Sequence, residues 1–83
     1  MWKKGALAVE TSGGITVISY EIKVFDQGSL YGIDGGRISK LWLADDETGL
    51  TLASYDRGWD IQPCNEAAES AVAHLLELYP WEK

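Results

Sequence analysis

The sequence is poor in the residues that most often carry chemistry: one cysteine, one histidine, two prolines and seven bases in 83 residues. A lone cysteine, Cys64, cannot close an intramolecular disulfide, so nothing implies a disulfide-stapled secreted scaffold, and a reducing cytoplasm is the simplest home. A structural zinc site wants four Cys or His ligands, and Cys64 and His74 are the only two in the chain. Both fall on or just before one expected helix. Their separation is close to three turns, or ~15 Å along the axis, beyond the hydrogen-bond contact that a Cys–His nucleophile pair requires.

Long apolar runs are missing as well. No stretch approaches the ~18 apolar residues of a membrane span. The opening Met1-Trp2-Lys3-Lys4 has the basic flavour of a leader. Its apolar run, Ala6 to Val9, is nevertheless shorter than the roughly 7–15 residues of a signal h-region and stops at Glu10, so no leader is expected. The glycines between Asp26 and Gly36 match neither G-x-x-x-x-G-K-[ST] nor G-x-G-x-x-G before a helix, and a plain connection is the simpler reading. No cofactor is implied.

The shortage of bases is uneven. Net charge is −6. Residues 1–40 are nearly balanced, with Lys3, Lys4, Lys23, Arg37 and Lys40 against Glu10, Glu21, Asp26 and Asp34. Residues 41–82 hold Asp45, Asp46, Glu47, Asp56, Asp60, Glu66, Glu69, Glu77 and Glu82 against Arg57 alone. Affinity for phosphate backbones comes largely from Lys and Arg, so direct nucleic-acid binding is disfavoured and a basic partner is favoured.

What is present points to a folded domain. Hydrophobic residues make up 46% of the chain, with four Trp, four Tyr and one Phe, which excludes disorder. A chain of this length fits one domain with a small core, in which an active-site cavity would be hard to support, so a non-enzymatic protein is expected.

Taken in order, residues 5–11 read as a short first strand, and Thr11-Ser12-Gly13-Gly14 as a tight reversal. Residues 15–25 form a long second strand in which Ile18, Tyr20, Ile22 and Val24 alternate with Ser19, Glu21 and Lys23. Ile15 and Val17 make its first half apolar on both sides, which predicts that this half is central in the sheet or covered. Residues 37–44 form a third strand with Ser39, Leu41 and Leu43 on the core face and Ile38, Lys40, Trp42 and Ala44 opposite. Residues 50–55 return as a fourth, with Leu50 and Leu52 as core candidates. The acidic turn Asp45-Asp46-Glu47 lacks the order of a calcium loop and reads as solvated. Asp56 to Pro63 leads out of the sheet, with a local Asp–Arg salt bridge between Arg57 and its flanking Asp56 and Asp60 as its simplest role.

The helix is expected over 65–79, capped by Asn65, supported by Glu66 and Glu69 near its positive end, and stopped before Pro80. Ala68, Ala71, Val72, Leu75, Leu76 and Tyr79 make its apolar stripe. Strands followed by a helix predict an α+β domain: a four-stranded antiparallel meander with one C-terminal helix packed on one face.

The segments GGRISKLW, from Gly35, and SYDRGWDIQP, from Ser54, resemble a pattern found in small acidic sheet-plus-helix proteins of phages, prophages and other bacterial mobile elements. The resemblance spans about Tyr20 to Tyr79. It implies a genomic setting and a fold, and no activity comes with it. Small acidic phage proteins include inhibitors of host defence, among them anti-CRISPR proteins that mimic nucleic acid, which is a likeness of size, charge and origin.

The expected function is therefore a protein-interaction module that presents acids to a basic, nucleic-acid-binding surface of a host protein. Asp45, Asp46, Glu47, Asp56, Asp60, Glu66 and Glu69 would supply the charge, and Trp42 and Trp59 the anchors, since Trp is enriched at interface hot spots. The alternative is a structural or accessory protein that forms a homodimer through its open sheet face, with acidity serving only solubility.

Overall fold

The structure, a computed structural model, describes residues 2–26, 33 and 36–79. Strands β1 (Trp2–Thr11), β2 (Gly14–Val24), β3 (Ile38–Asp45), β4 (Thr51–Asp56) and β5 (Trp59–Ile61) precede one helix, α1 (Glu66–Leu78). The strands lie side by side in chain order and every neighbouring pair is antiparallel. The α+β class, the open meander and the single C-terminal helix agree with the pattern in the sequence. The strand count does not: there are five, not four. Most of the 26–36 connection, and Pro80, lie outside the described residues, so the expectations placed on them do too.

The fifth strand comes from the segment expected to leave the sheet. The chain reverses at Arg57, which adopts a φ of 61°, and Gly58. The Asp56 N–H donates to the Gly58 carbonyl at 2.9 Å, and the Arg57 N–H to the Ser39 carbonyl at 3.3 Å. Trp59 therefore returns opposite Tyr55, with the two rings edge-on at 5.0 Å between centroids.

Period-2 alternation places Leu7, Val9, Ile18, Tyr20, Ile22, Val24, Leu41, Leu43 and Tyr55 on one face, the face that carries the core. Two bulges alter the sequence reading. Lys23 pairs with Lys40 while Val24 pairs with Ile38, so Ser39 is an extra residue. The shift turns Ile38 into the core, where it is fully buried, instead of onto the Trp42 face. A second irregularity, between Leu43 and Ala44, makes Leu52 the extra residue of β4 and buries it.

Leu50 is a core candidate that the fold rejects. It is 66% exposed because β4 begins only at Thr51. Its backbone closes the turn, accepting from the Asp45 N–H at 2.9 Å and donating to Thr48 Oγ1 at 3.3 Å. Ile15 and Val17 are exposed too, contrary to the expectation that the first half of β2 is central in the sheet or covered. The reason is length: β3 stops at Asp45, opposite Ile18, so the β1–β2 hairpin overhangs the sheet.

Asn65 caps α1 as expected, its Oδ1 accepting the Ala68 N–H at 2.8 Å. Ala67, Ala68, Ala71, Val72 and Leu75 are buried against the sheet, and Leu76 and Tyr79 pack on the edge of the core. The run of alanines lets the helix backbone settle close to β1 and β2. At the far end of α1, the Lys3 ammonium and the Arg37 guanidinium lie 5.8 and 6.0 Å from the centre of the Tyr79 ring. Helix C-terminus and aromatic face both attract cations there.

Candidate protein-interaction surface

The strand register sorts charge along the strands instead of between the two halves of the chain. Three cross-strand ranks lie at the end of the sheet where β1 begins: Trp2–Lys23–Lys40–Asp56, then Lys3–Ile22–Leu41–Tyr55, then Lys4–Glu21–Trp42–Ser54. They hold Lys3, Lys4, Lys23 and Lys40. Arg37 precedes β3 at this end, its Nε donating to the Phe25 carbonyl at 2.8 Å, and Arg57 sits in the β4–β5 turn. Every described base is therefore at one end, together with Asp56, Asp60 and Glu21.

The opposite end carries acids and, among the described residues, no base. Glu10 is on the overhanging hairpin and Asp45, Asp46 and Glu47 are in the β3–β4 turn beside it. The helix N-terminus, with Glu66 and Glu69, reaches the same end, where the Ser12 hydroxyl donates to Glu66 Oε2 at 3.1 Å.

The acidic turn is held from within. Asp45 Oδ1 accepts the Glu47 and Thr48 N–H groups at 2.8 and 3.1 Å. The Asp46 N–H donates to the Val17 carbonyl at 3.0 Å, and its carboxylate accepts the Ser19 hydroxyl at 2.6 Å. These bonds fix two carboxylates against the overhang. The result is a groove of about 230 Å³ lined by Ile15, Thr16, Val17, Asp45, Asp46 and Glu47. Ile15 is 74% exposed and forms the apolar wall. Such a site suits a lysine or arginine, whose methylenes can lie on Ile15 and Val17 while its cation meets the carboxylates. Ile15 and Val17 were missed as partners of the acidic turn. The signal was available in the lengths, since β2 has eleven residues and β3 eight, which leaves part of β2 without a neighbour.

The sequence-predicted residues therefore separate. Asp45, Asp46, Glu47, Glu66 and Glu69 gather at the acidic end. Asp56, Trp59 and Asp60 lie at the other. Asp56 is 3.8 Å from Lys40 Nζ on the next strand, an ion pair across the sheet that the sequence reading did not include. Trp59 is half-buried against Tyr55 and the core, which removes most of its ring from a partner's reach. Trp42 stands on the open face, exposed, with its indole N–H donating to Thr51 Oγ1 at 3.2 Å.

Cys64 is a free, exposed thiol ahead of the helix, and His74 is exposed on it. Among the described residues no group of three or more His, Cys, Asp or Glu is arranged to hold a metal, and no helix is long and apolar enough to cross a membrane.

No curated protein and no solved structure matches the chain. A family model described as a domain of unknown function (DUF7678) matches residues 1–80, and the chain belongs to that family.

Proposed function

We propose that the protein is a non-enzymatic interaction module whose acidic end receives a basic segment of another protein. The observation that carries this reading is the groove: fixed carboxylates beside exposed Ile15 and Val17, with no base at that end among the described residues. The likeness to small phage and mobile-element proteins adds a setting, in which the partner is a nucleic-acid-binding surface of a bacterial host protein and the module acts as an inhibitor in the cytoplasm. Cys64, exposed and unpaired, suits that reducing compartment.

The direct test is a titration of the labelled protein with a short oligo-arginine peptide, followed by amide NMR over a salt series. Shifts should concentrate at residues 15–17 and 45–47 and fade as salt rises. Changing Asp45 and Asp46 to Asn and Glu47 to Gln keeps the turn's hydrogen-bond acceptors while removing three charges. That variant should bind about tenfold more weakly. Shifts that fall elsewhere, or binding that ignores the variant, would remove the acidic end as the recognition surface.

A second reading, self-association through the open sheet face with acidity serving solubility, draws on the exposed Trp42 and Trp2. It predicts a dimer that Trp42→Ala disperses and salt does not.

A further inference from the structure

Strand β1 forms one border of the sheet. Its ten residues run without a bulge or proline and pair only with β2, and among the described residues no hydrogen bond reaches its outer edge. Long, uncovered edges of this kind are templates for pairing with another chain.

The hairpin fixes which backbone groups face outward. Ser12 and Gly13 form a two-residue turn closed by Thr11 and Gly14, so Thr11, Val9, Leu7, Gly5 and Lys3 bond inward to β2. Trp2, Lys4, Ala6, Ala8 and Glu10 then direct their N–H and C=O groups away from it. The bond from Asp46 to the Val17 carbonyl confirms the alternation, because Val17 lies opposite Ala8 and faces the other way.

We propose that this edge binds a second copy of the chain, β1 against β1 in antiparallel fashion, joining two five-stranded sheets into one of ten. Outward residues must meet outward residues, which allows only every second register. The register with its two-fold axis at Leu7 is the one that sets Lys4 opposite the partner's Glu10, twice. It pairs Ala6 with the partner's Ala8 and forms about eight backbone hydrogen bonds. Leu7, half-buried at the rim of the core, meets its own copy at the closely spaced, non-hydrogen-bonded position and becomes covered.

Charge selects this pairing on a larger scale. An antiparallel match lays the basic end of each subunit beside the acidic end of the other. Lys4 has a side chain that is 75% exposed and is held only loosely, 3.8 Å from Glu21, so it can turn to a second carboxylate. The helices also fit. Strands spaced about 4.8 Å apart put two helices seated over their β1–β2 pairs roughly 10 Å from each other, an ordinary packing distance. The groove at residues 15–17 and 45–47 stays open in such a dimer, so the proposal stands or falls apart from the function proposed above.

The test uses sedimentation equilibrium on the full chain and on three variants, at concentrations up to about 100 µM. The unaltered chain should be a dimer. Ala8→Pro removes an outward N–H that β2 does not use, and should give a folded monomer by circular dichroism. Lys4→Glu and Glu10→Lys, each examined separately, place like charges opposite each other twice and should weaken the dimer about tenfold or more. Mixed together they should form a heterodimer, since both cross pairs then carry opposite charges. If Ala8→Pro fails to fold, the mixing experiment decides alone. A monomeric parent chain, a folded Ala8→Pro dimer, or a mixture that stays monomeric overturns the proposal. So does a dimer dispersed by Trp42→Ala, which would place the contact on the open face.

Discussion

Replacing Gly5 by alanine should destabilise the fold, although the same change in most strands is favourable. Gly5 lies directly opposite Tyr20 in the β1–β2 ladder, and the tyrosine ring is laid across it. A Cβ on Gly5 would sit 2.7 Å from Tyr20 Oη, 2.8 Å from Cζ and 3.0 Å from Cε2. Comfortable carbon contacts need about 3.5 Å or more, so the ring must retreat by roughly 0.5–1 Å. Tyrosine has only two side-chain torsions, and this ring packs on the edge of the core. Retreat means an off-rotamer torsion or lost packing, together about 1–3 kcal/mol. The alanine returns about 0.4–1 kcal/mol by restricting the unfolded chain. The difference is a net loss of about 1–2 kcal/mol, which for a domain of this size lowers Tm by about 4–16 °C. Urea and thermal unfolding followed by circular dichroism would measure it. The cause is isolated by repeating Gly5→Ala in a Tyr20→Ala background, where it should become neutral or stabilising. A loss of equal size in both backgrounds, or no loss in either, would refute the argument.

Three further outcomes follow from named contacts. Asn65→Ala removes the acceptor for the Ala68 N–H and should lower stability by about 1 kcal/mol with a fall in helical signal. Leu43→Ala, at a fully buried site, should lose about 2–5 kcal/mol in urea unfolding, whereas Leu50→Ser should stay within about 0.5 kcal/mol. At the surface, changing Asp56 and Asp60 to Asn removes charge from the basic end. Peptide titration should show it unchanged or slightly tighter, where the Asp45, Asp46 and Glu47 variant weakens it.

How far the sequence disclosed the fold can be judged element by element. The second strand and the helix were legible because each has an uninterrupted period: Ile18, Tyr20, Ile22 and Val24 at two, and Ala68, Ala71, Val72 and Leu75 at three or four. The errors cluster where a local rule depends on a distant partner. Ser39 and Leu52 occupy bulges, and a bulge exists only relative to the neighbouring strand, so the burial of Ile38 could not be read from β3 alone. Leu50 reads as a core residue because it opens the expected fourth strand and alternates with Leu52, yet the turn uses its backbone and leaves its side chain outside. Trp59–Ile61 is too short to show a period, and the glycine before it signalled a bend without saying in which direction the chain would go.

The abundance of acids was legible in the sequence, and their grouping in space was not. Counting acids along residues 41–82 finds Asp56 and Asp60 alongside Asp45 and Asp46, but sequence order is not spatial order in a meander. Each strand reverses the last, so successive turns lie at opposite ends of the sheet and alternate turns share an end. The β3–β4 turn lies beside the β1–β2 turn, and the β4–β5 turn lies with Arg37 and the start of β1. The consequence is physical. The molecule is 37 Å long, several times the ~8 Å Debye length at physiological ionic strength, so charges at one end hardly attenuate the field at the other. A charged molecule approaching either end would therefore meet the local balance and not the net −6. Asp56, in contact with Lys40, adds little there. The carboxylates of Asp45, Asp46 and Glu47, far from any described base, act with nearly their full charge. The same separation gives β1 opposite charges at its two ends, Lys4 near one and Glu10 near the other. That is the property that makes an antiparallel copy of the strand its complement.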